Sequence, residues 1–284
     1  MIDLHIHSTL SDGTKTPEEL IREVVRKGIK TFSITDHDNI DAHKLIVDKY
    51  LHLISKNKLR YISGVEFSAD YKGRSMHILA YGFSHDDEMI NDIVSEIHNL
   101  RIQRVEQRLS DIQIYNNISF TGEEIAWIFS RNNPGKPHIA KVLVDKGEAV
   151  DIHDAIDKFM SDKLPDFKVN AVDLINKLSA HNIIVGIAHP IGGEGEERLP
   201  LDVFVSNIKE LVPHGISFIE GYYSLYDRHE REVIRMIADK YGLYLSGGSD
   251  YHGENKDIEL GNLGNDYTPN KKDLTILKLL KLEG

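Results

Sequence analysis

The chain contains no cysteine. Disulfides, thiolate nucleophiles and thiolate-held metals are therefore excluded, and the absence fits a reducing cytoplasm. Basic residues are in deficit: 34 Lys and Arg against 45 Asp and Glu leave a formal net charge of −11. That balance argues against a nucleic-acid coat, stable duplex binding or attachment to a membrane surface. No apolar run approaches the roughly 18 residues of a membrane span. The opening Met1-Ile2-Asp3-Leu4-His5 has neither the basic region nor the apolar stretch of a signal peptide. Internal repeats and low-complexity segments are also missing. What is present is an ordinary globular composition, 40% hydrophobic and 28% charged over 284 residues, enough for one large domain or two small ones. Beside it stand 15 histidines, which direct attention to imidazole chemistry.

Strand and helix alternate through the first third. Ile2 to Ile6 reads as a short strand running into His7. Thr16-Pro17-Glu18-Glu19 opens a helix through a capping box, Leu20, Ile21, Val24 and Val25 form its apolar stripe, and Gly28 ends it. Thr31 to Thr35 is a second strand, and a helix follows over about Asp41 to Lys56. Leu59 to Phe67 and Met76 to Tyr81 read as two more strands around a Lys72-Gly73 turn. From 86 to 168 the period becomes helical, with one long helix marked by Ile90 to Val105, another capped at Thr121, and a third over Ala149 to Met160. Alternation then resumes: a helix over Ala171 to His181, a strand over Ile183 to Ala188, strands over Ile216 to Glu220 and Leu243 to Ser246, and a helix over Asp227 to Tyr241 between the last two. The pattern predicts an α/β fold with a parallel sheet, open or closed into a barrel, made from residues 1–85 and 169–284 and interrupted by a helical insertion over 86–168.

Residues able to ligate a metal fall at the ends of these strands. His5 and His7 share one face of an extended segment. Asp12 follows in the next loop, and Asp36-His37-Asp38 follows the second strand. Glu66 ends the third, His77 lies in the fourth, His189 ends a later one, and Asp250 and His252 form a second x-spaced pair. Each has a bland reading alone: a hydrogen-bonded strand-end His, a polar turn, an N-cap. Leaving Asp36 and Asp38 aside, nine such residues at the one edge where α/β folds build their sites make a constellation. Imidazole and carboxylate without thiolate suit Mn, Fe or Zn. His43, His52, His85, His98, His153, His181, His214 and His229 lie on helices or loops and read as structural.

The set resembles the PHP (polymerase and histidinol phosphatase) family: His5-Ile6-His7 with Asp12, then Thr35-Asp36-His37-Asp38, Glu66, His77, His189 and Asp250-Tyr251-His252. The resemblance runs to about residue 260. It implies a distorted (β/α)7 barrel holding three divalent metals: one at His5, His7, Glu66 and Asp250, a second reached by Glu66 with His77 and His189, a third at Asp12, His37 and His252. Asp36 would orient ligands rather than bind metal. Three dications among three carboxylates leave a local charge of about +3, a site for a phosphate dianion, with a metal-activated hydroxide as nucleophile.

Within the family, the length and the insertion resemble stand-alone bacterial enzymes that act on nucleotide phosphates. The segment Gly135 to Ala140 resembles a motif of that subgroup, so Arg131, Lys136 and His138 are candidate contacts for a second phosphate beside a helix N-terminus, and Arg74 is a weaker one. The insertion would then be a substrate cap. Tyr222 and Tyr223 could flank a base, although packing is the commoner role for such residues. The resulting expectation is a 3′,5′-bisphosphate nucleotidase releasing phosphate from a pAp-type substrate to leave AMP. A 5′→3′ exonuclease on short RNA or DNA is the alternative, followed by a histidinol-phosphate phosphatase. An amidohydrolase, which typically carries a metal-bridging Lys that no motif here places, and a non-catalytic scaffold, whose signature would be missing ligands, rank last. The partners expected are a small nucleotide or short oligonucleotide, and no protein partner is indicated.

Overall fold

The computed structural model describes residues 1–161, 167–194, 197–264 and 267–282. The chain forms two compact units, Met1–Asn91 with Asn170–Gly284, and Asp92–Val169.

The first unit carries every strand-end residue named above. Three short strands, β1 (Ile2–Asp3), β2 (Thr31–Phe32) and β3 (Arg60–Tyr61), pair in parallel. A six-stranded sheet has the order β6 (Val169–Asn170), β4 (Gly64–Tyr71), β5 (Arg74–Tyr81), β7 (Ile184–Ile187), β8 (Phe218–Tyr223), β9 (Tyr244–Gly248). This is not the all-parallel arrangement expected: β5 runs antiparallel to both β4 and β7. The Lys72-Gly73 turn makes β4 and β5 a tight hairpin, and a hairpin can only be antiparallel. Bridges at Ile6–Tyr251 and His37–Glu66 join the two sheets. Backbone hydrogen bonds support both seams, from Asp250 N–H to His5 O (2.8 Å) and from Asp38 N–H to Glu66 O (2.9 Å). Seven strands thus follow one another in a ring, β1-β2-β4-β5-β7-β8-β9 and back to β1.

Helices cover this ring. α1 (Pro17–Arg26) starts at the expected capping box, with Thr16 and Glu19 exchanging bonds, and buries Leu20, Ile21 and Val24. Val25 instead faces solvent, one position off the stripe. The helix expected over 41–56 is α2 (Asp41–Leu45) and α3 (Leu51–Lys56) with one wide π turn, Ile46–Tyr50, between them. α8 (Ala171–Ala180) and α10 (Arg228–Tyr241) stand as read, and α9 (Leu201–Leu211) is additional. It begins after Pro200 with no side-chain cap, so the usual start signal is absent. Leu20, Val24, Ile29, Phe32, Ile34 and Ile46 pack with Ile6 and Tyr251 in one core cluster.

The second unit is helical: most of α4 (Glu88–Asn116), then α5 (Gly122–Phe129), α6 (Lys136–Asp145) and α7 (Ile152–Phe159). Its own core gathers Val105, Leu109, Ile112, Ile128, Ile139, Leu143 and Met160. Residues 162–166 of the predicted insertion lie outside the described residues. No helix among those described is long and apolar enough to cross a membrane.

Candidate metal centre

The site grows from the seam between β1 and β9. The chain past Asp3 pairs at Ile6 with Tyr251, so His5 and His7 point to one side while the Ile6 side chain enters the core on the other. Gly248 allows this approach: a Cβ there would lie 2.1 Å from the Cβ of His5. Glu66 is the third residue of β4 rather than the end of a strand, because the strand expected from Leu59 splits between two sheets. It nevertheless lies level with His37, its bridge partner at the second seam. His77 comes from β5, His189 from the loop after β7, and Asp250 and His252 from the loop after β9.

All nine residues converge. His5, His7, Glu66 and Asp250 form one set, His7, Asp12, His37 and His252 a second, and His37, Glu66 and His77 a third; within each set the donor atoms lie within 4.8 Å of one another. His189 joins the third, with Nε2 at 3.1 Å from Glu66 Oε1 and 3.3 Å from His77 Nδ1. Glu66 is the hub, its Oε2 lying 3.1 Å from Nε2 of both His5 and His7 and 3.2 Å from Nδ1 of His37. His5, His7 and Glu66 are fully buried, whereas the Asp12 side chain is 51% exposed, so the cluster has a closed floor and an open mouth. Asp38, His189 and Asp250 all adopt positive φ (53°, 24° and 58°). Such backbone costs on the order of 1–3 kcal/mol per residue and persists where the surroundings enforce it.

Burial disfavours charge throughout, and the neighbours decide which groups resist. Imidazoles hold Glu66 and Asp250 well below the usual carboxylate range despite burial, with Lys256 assisting at Asp250. Asp12 is lowered for the same reason. Burial opposes protonation of His5 and His7, but Glu66, Asp250 and their neighbours outweigh it, lifting His5 well above its ordinary value and His7 to about 9. At His37 burial wins and lowers the ring to about 3, and His252 also falls. His37 Nδ1, His252 Nε2 and Glu66 Oε2 are buried and make no well-directed hydrogen bond, although imidazole–carboxylate contacts of 3.1–3.2 Å surround them. An unsatisfied buried polar group costs about 1–3 kcal/mol. Bare nitrogens and carboxylates aimed at common points are what a divalent cation requires, so the residues fit the group that the sequence implied.

Known proteins are similar to this chain in sequence and in fold. The PHP domain pattern matches residues 3–167. The chain belongs to the PHP domain family. It is similar to a 3′,5′-nucleoside bisphosphate phosphatase of Chromobacterium violaceum, with 24% identity over 88% of this chain and 87% of that one. It is also similar to the 5′-3′ exoribonuclease Rnm of Escherichia coli, with 26% identity over 91% of this chain and 87% of that one. A crystal structure from Bifidobacterium adolescentis, described as a candidate metal-dependent phosphoesterase, superposes with a TM-score of 0.73 at 25% identity, covering 93% of this chain and 92% of that one.

Around this PHP cluster the structure adds partners. Asp36 does not join the donor sets. It accepts hydrogen bonds from Ser8 N–H and Oγ (2.6 Å each) and from Ser11 Oγ (2.7 Å), pinning the loop between His7 and Asp12. Three residues were not singled out in this role by sequence. Lys256 Nζ lies 2.7 Å from Asp250 Oδ2, Tyr223 donates its hydroxyl to the same oxygen at 3.1 Å, and Glu220 faces His5 at 3.0 Å. Spacing alone could not find Glu220 and Tyr223, since β8 changes register between Glu220 and Tyr222.

Of the expected substrate contacts, Arg74 opens β5 and pairs with Glu197 at 2.7 Å. Arg131, Lys136 and His138 all lie in the helical unit. The Arg131 guanidinium sits over the Trp127 ring (4.8 Å) and donates to Trp127 O. His138 Nδ1 accepts from Gly135 N–H at the start of α6. Burial, followed by the positive charges of Arg131 and Arg101, lowers His138. Tyr222 packs against Tyr267. The histidines read as structural stay outside the three donor sets.

Proposed function

We propose that this PHP domain protein is a metal-dependent phosphoesterase of nucleotides, acting as a 3′,5′-bisphosphate nucleotidase. The observation that carries the hydrolase reading is the buried convergence of imidazoles and carboxylates on Glu66, with ring nitrogens left bare. His5, His7, Glu66 and Asp250 would hold one ion; Glu66, His77 and His189 a second; Asp12, His37 and His252 a third. This thiolate-free donor set suits Mn, Fe or Zn. Ions bound there supply Lewis acidity to a phosphoryl oxygen and to the attacking water. The chain's own residues do the rest. The neutral rings of His37 and His252 keep lone pairs free at the mouth. Asp36 holds the His7–Asp12 loop in place. The Lys256 ammonium, anchored on Asp250, adds positive charge where a phosphate dianion would arrive.

The substrate class rests on the similarity to the bisphosphate phosphatase and on the cations around α6. Arg131, Lys136 and His138 would grip the phosphate that does not react, making the helical unit the specificity element. The exoribonuclease reading shares this chemistry and differs in product.

The test is phosphate release from pAp, AMP, histidinol phosphate and a short 5′-phosphorylated RNA, with Mn²⁺ supplied. Preferential conversion of pAp to AMP is expected. A ladder of mononucleotides from RNA, without phosphate from pAp, would replace the nucleotidase by the exonuclease. No turnover of any ester at full metal loading would overturn both.

A further inference from the structure

One buried carboxylate touches the cluster without belonging to it. Glu220 is fully buried on β8. Its Oε1 lies 3.0 Å from His5 Nδ1, and its Oε2 accepts the backbone N–H of His189 at 2.8 Å. Both contacts bear on donors that the proposed function uses. With the Nδ1 proton committed to Glu220, a neutral His5 ring carries no proton on Nε2, which lies 3.1 Å from both Glu66 Oε2 and His7 Nε2 and 3.5 Å from Asp250 Oδ1. The His189 backbone is held at positive φ, 24°, and this conformation presents its Nε2 to Glu66 Oε1 at 3.1 Å. The register shift after Glu220 has a further effect. Residues three apart on a regular strand face opposite ways, but the irregularity turns Glu220 and Tyr223 to the same side, and Tyr223 donates to Asp250. One bulged strand therefore serves three of the proposed ligands from behind.

We infer that Glu220 is a positioning residue that fixes the tautomer of His5 and the backbone of His189, and so sets the affinity of the centre for its divalent ions. The inference rests on the reading that these residues hold metal. A carboxylate suits both tasks because both its oxygens accept. A glutamine of the same shape offers one acceptor and one donor. If its oxygen faces His189, its amide N–H faces His5 Nδ1, and the ring proton moves to Nε2, where a ligand must be bare. If its oxygen faces His5, two N–H groups oppose one another at His189. Either arrangement spoils one ligand.

The experiment compares wild type with Glu220→Gln by calorimetric titration with Mn²⁺ or Zn²⁺, checking the fold by circular dichroism. A loss of about 10–100-fold in affinity for at least one ion is expected, the range usual for such outer partners of metal-bound His. Unchanged affinity and stoichiometry in a folded Glu220→Gln would overturn the inference. Failure of wild type itself to bind metal would overturn the proposed function instead. Nitrogen-15 NMR of Zn²⁺-loaded wild type gives a second readout that does not depend on the variant folding. The ring proton of His5 should sit on Nδ1, and a proton on Nε2 would sink the idea.

Discussion

The candidate site residues of the two units are held in opposite ways. In the strand-built unit, His5, His7, Glu66 and Asp250 are buried, and each is fixed by backbone on neighbouring strands. In the helical unit, Arg131 is exposed and held by contacts within its own turn and the preceding one. Rigid, dry placement suits groups that must keep a common geometry as charge develops. Looser placement after the end of a helix suits groups that recognise a ligand's charge. On the proposed function this difference would make chemistry and selectivity separable in this chain, and mutations can test that separation.

The largest effect should come from the strand-built unit. His7→Ala or Asp250→Asn is expected to lower kcat/KM by about 10³-fold or more on every phosphoester, a loss of several kcal/mol. Circular dichroism should be unchanged, because the hydrophobic cluster around Leu20 and Phe32 does not depend on the ligands. Near-normal turnover by either variant would remove that residue from the chemistry.

A smaller and selective effect is expected from the helical unit. Arg131→Ala and Lys136→Ala should reduce kcat/KM for a 3′,5′-bisphosphorylated nucleotide by roughly 10–100-fold, about 1.5–3 kcal/mol for a charge-assisted phosphate contact. An aryl phosphate with no second anion should be hydrolysed as before. Equal losses on both substrates would erase the separation.

The smallest effect is a pH-dependent shift in thermal stability. His7 is raised from 6.5 to about 9 in the metal-free protein. Its protonation therefore stabilises that form fully below pH 6.5, and the contribution is lost as pH rises through about 9. Metal needs the bare ring, so binding strengthens over the same interval. The gain in Tm on adding Mn²⁺ should accordingly grow from pH 6.5 to 9, with hydrogen-exchange protection concentrated in the strand-built unit. A gain that shrinks over that interval would contradict the protonation pattern.

Much of this site was legible because metal ligation needs specific side chains at strand ends, and His5-Ile6-His7 and Asp250-Tyr251-His252 have few other uses. The capping boxes at Thr16 and Thr121 were legible for a similar reason: each is a short motif completed within four residues. The missed features are those that depend on distant pairing. A run from Leu59 to Phe67 looks like one strand, and only the partners of Tyr61 and Gly64 reveal a change of sheet. Glu220 looked like the end of a strand because the irregularity beside it is defined against β9. α9 lacks the side-chain cap that announces α1 and α5.

The two seams of the ring have a mechanical consequence. β4 and β5 share eight residue pairs in register, whereas each seam rests on one isolated bridge and a few hydrogen bonds. Under load, a sheet closed this way yields first at its seams. Those are the places where His5 meets the loop of Asp250 and where His37 meets Glu66. An ion held by the proposed ligands would join the two sides of a seam, so loading the centre would stiffen the ring where it is weakest.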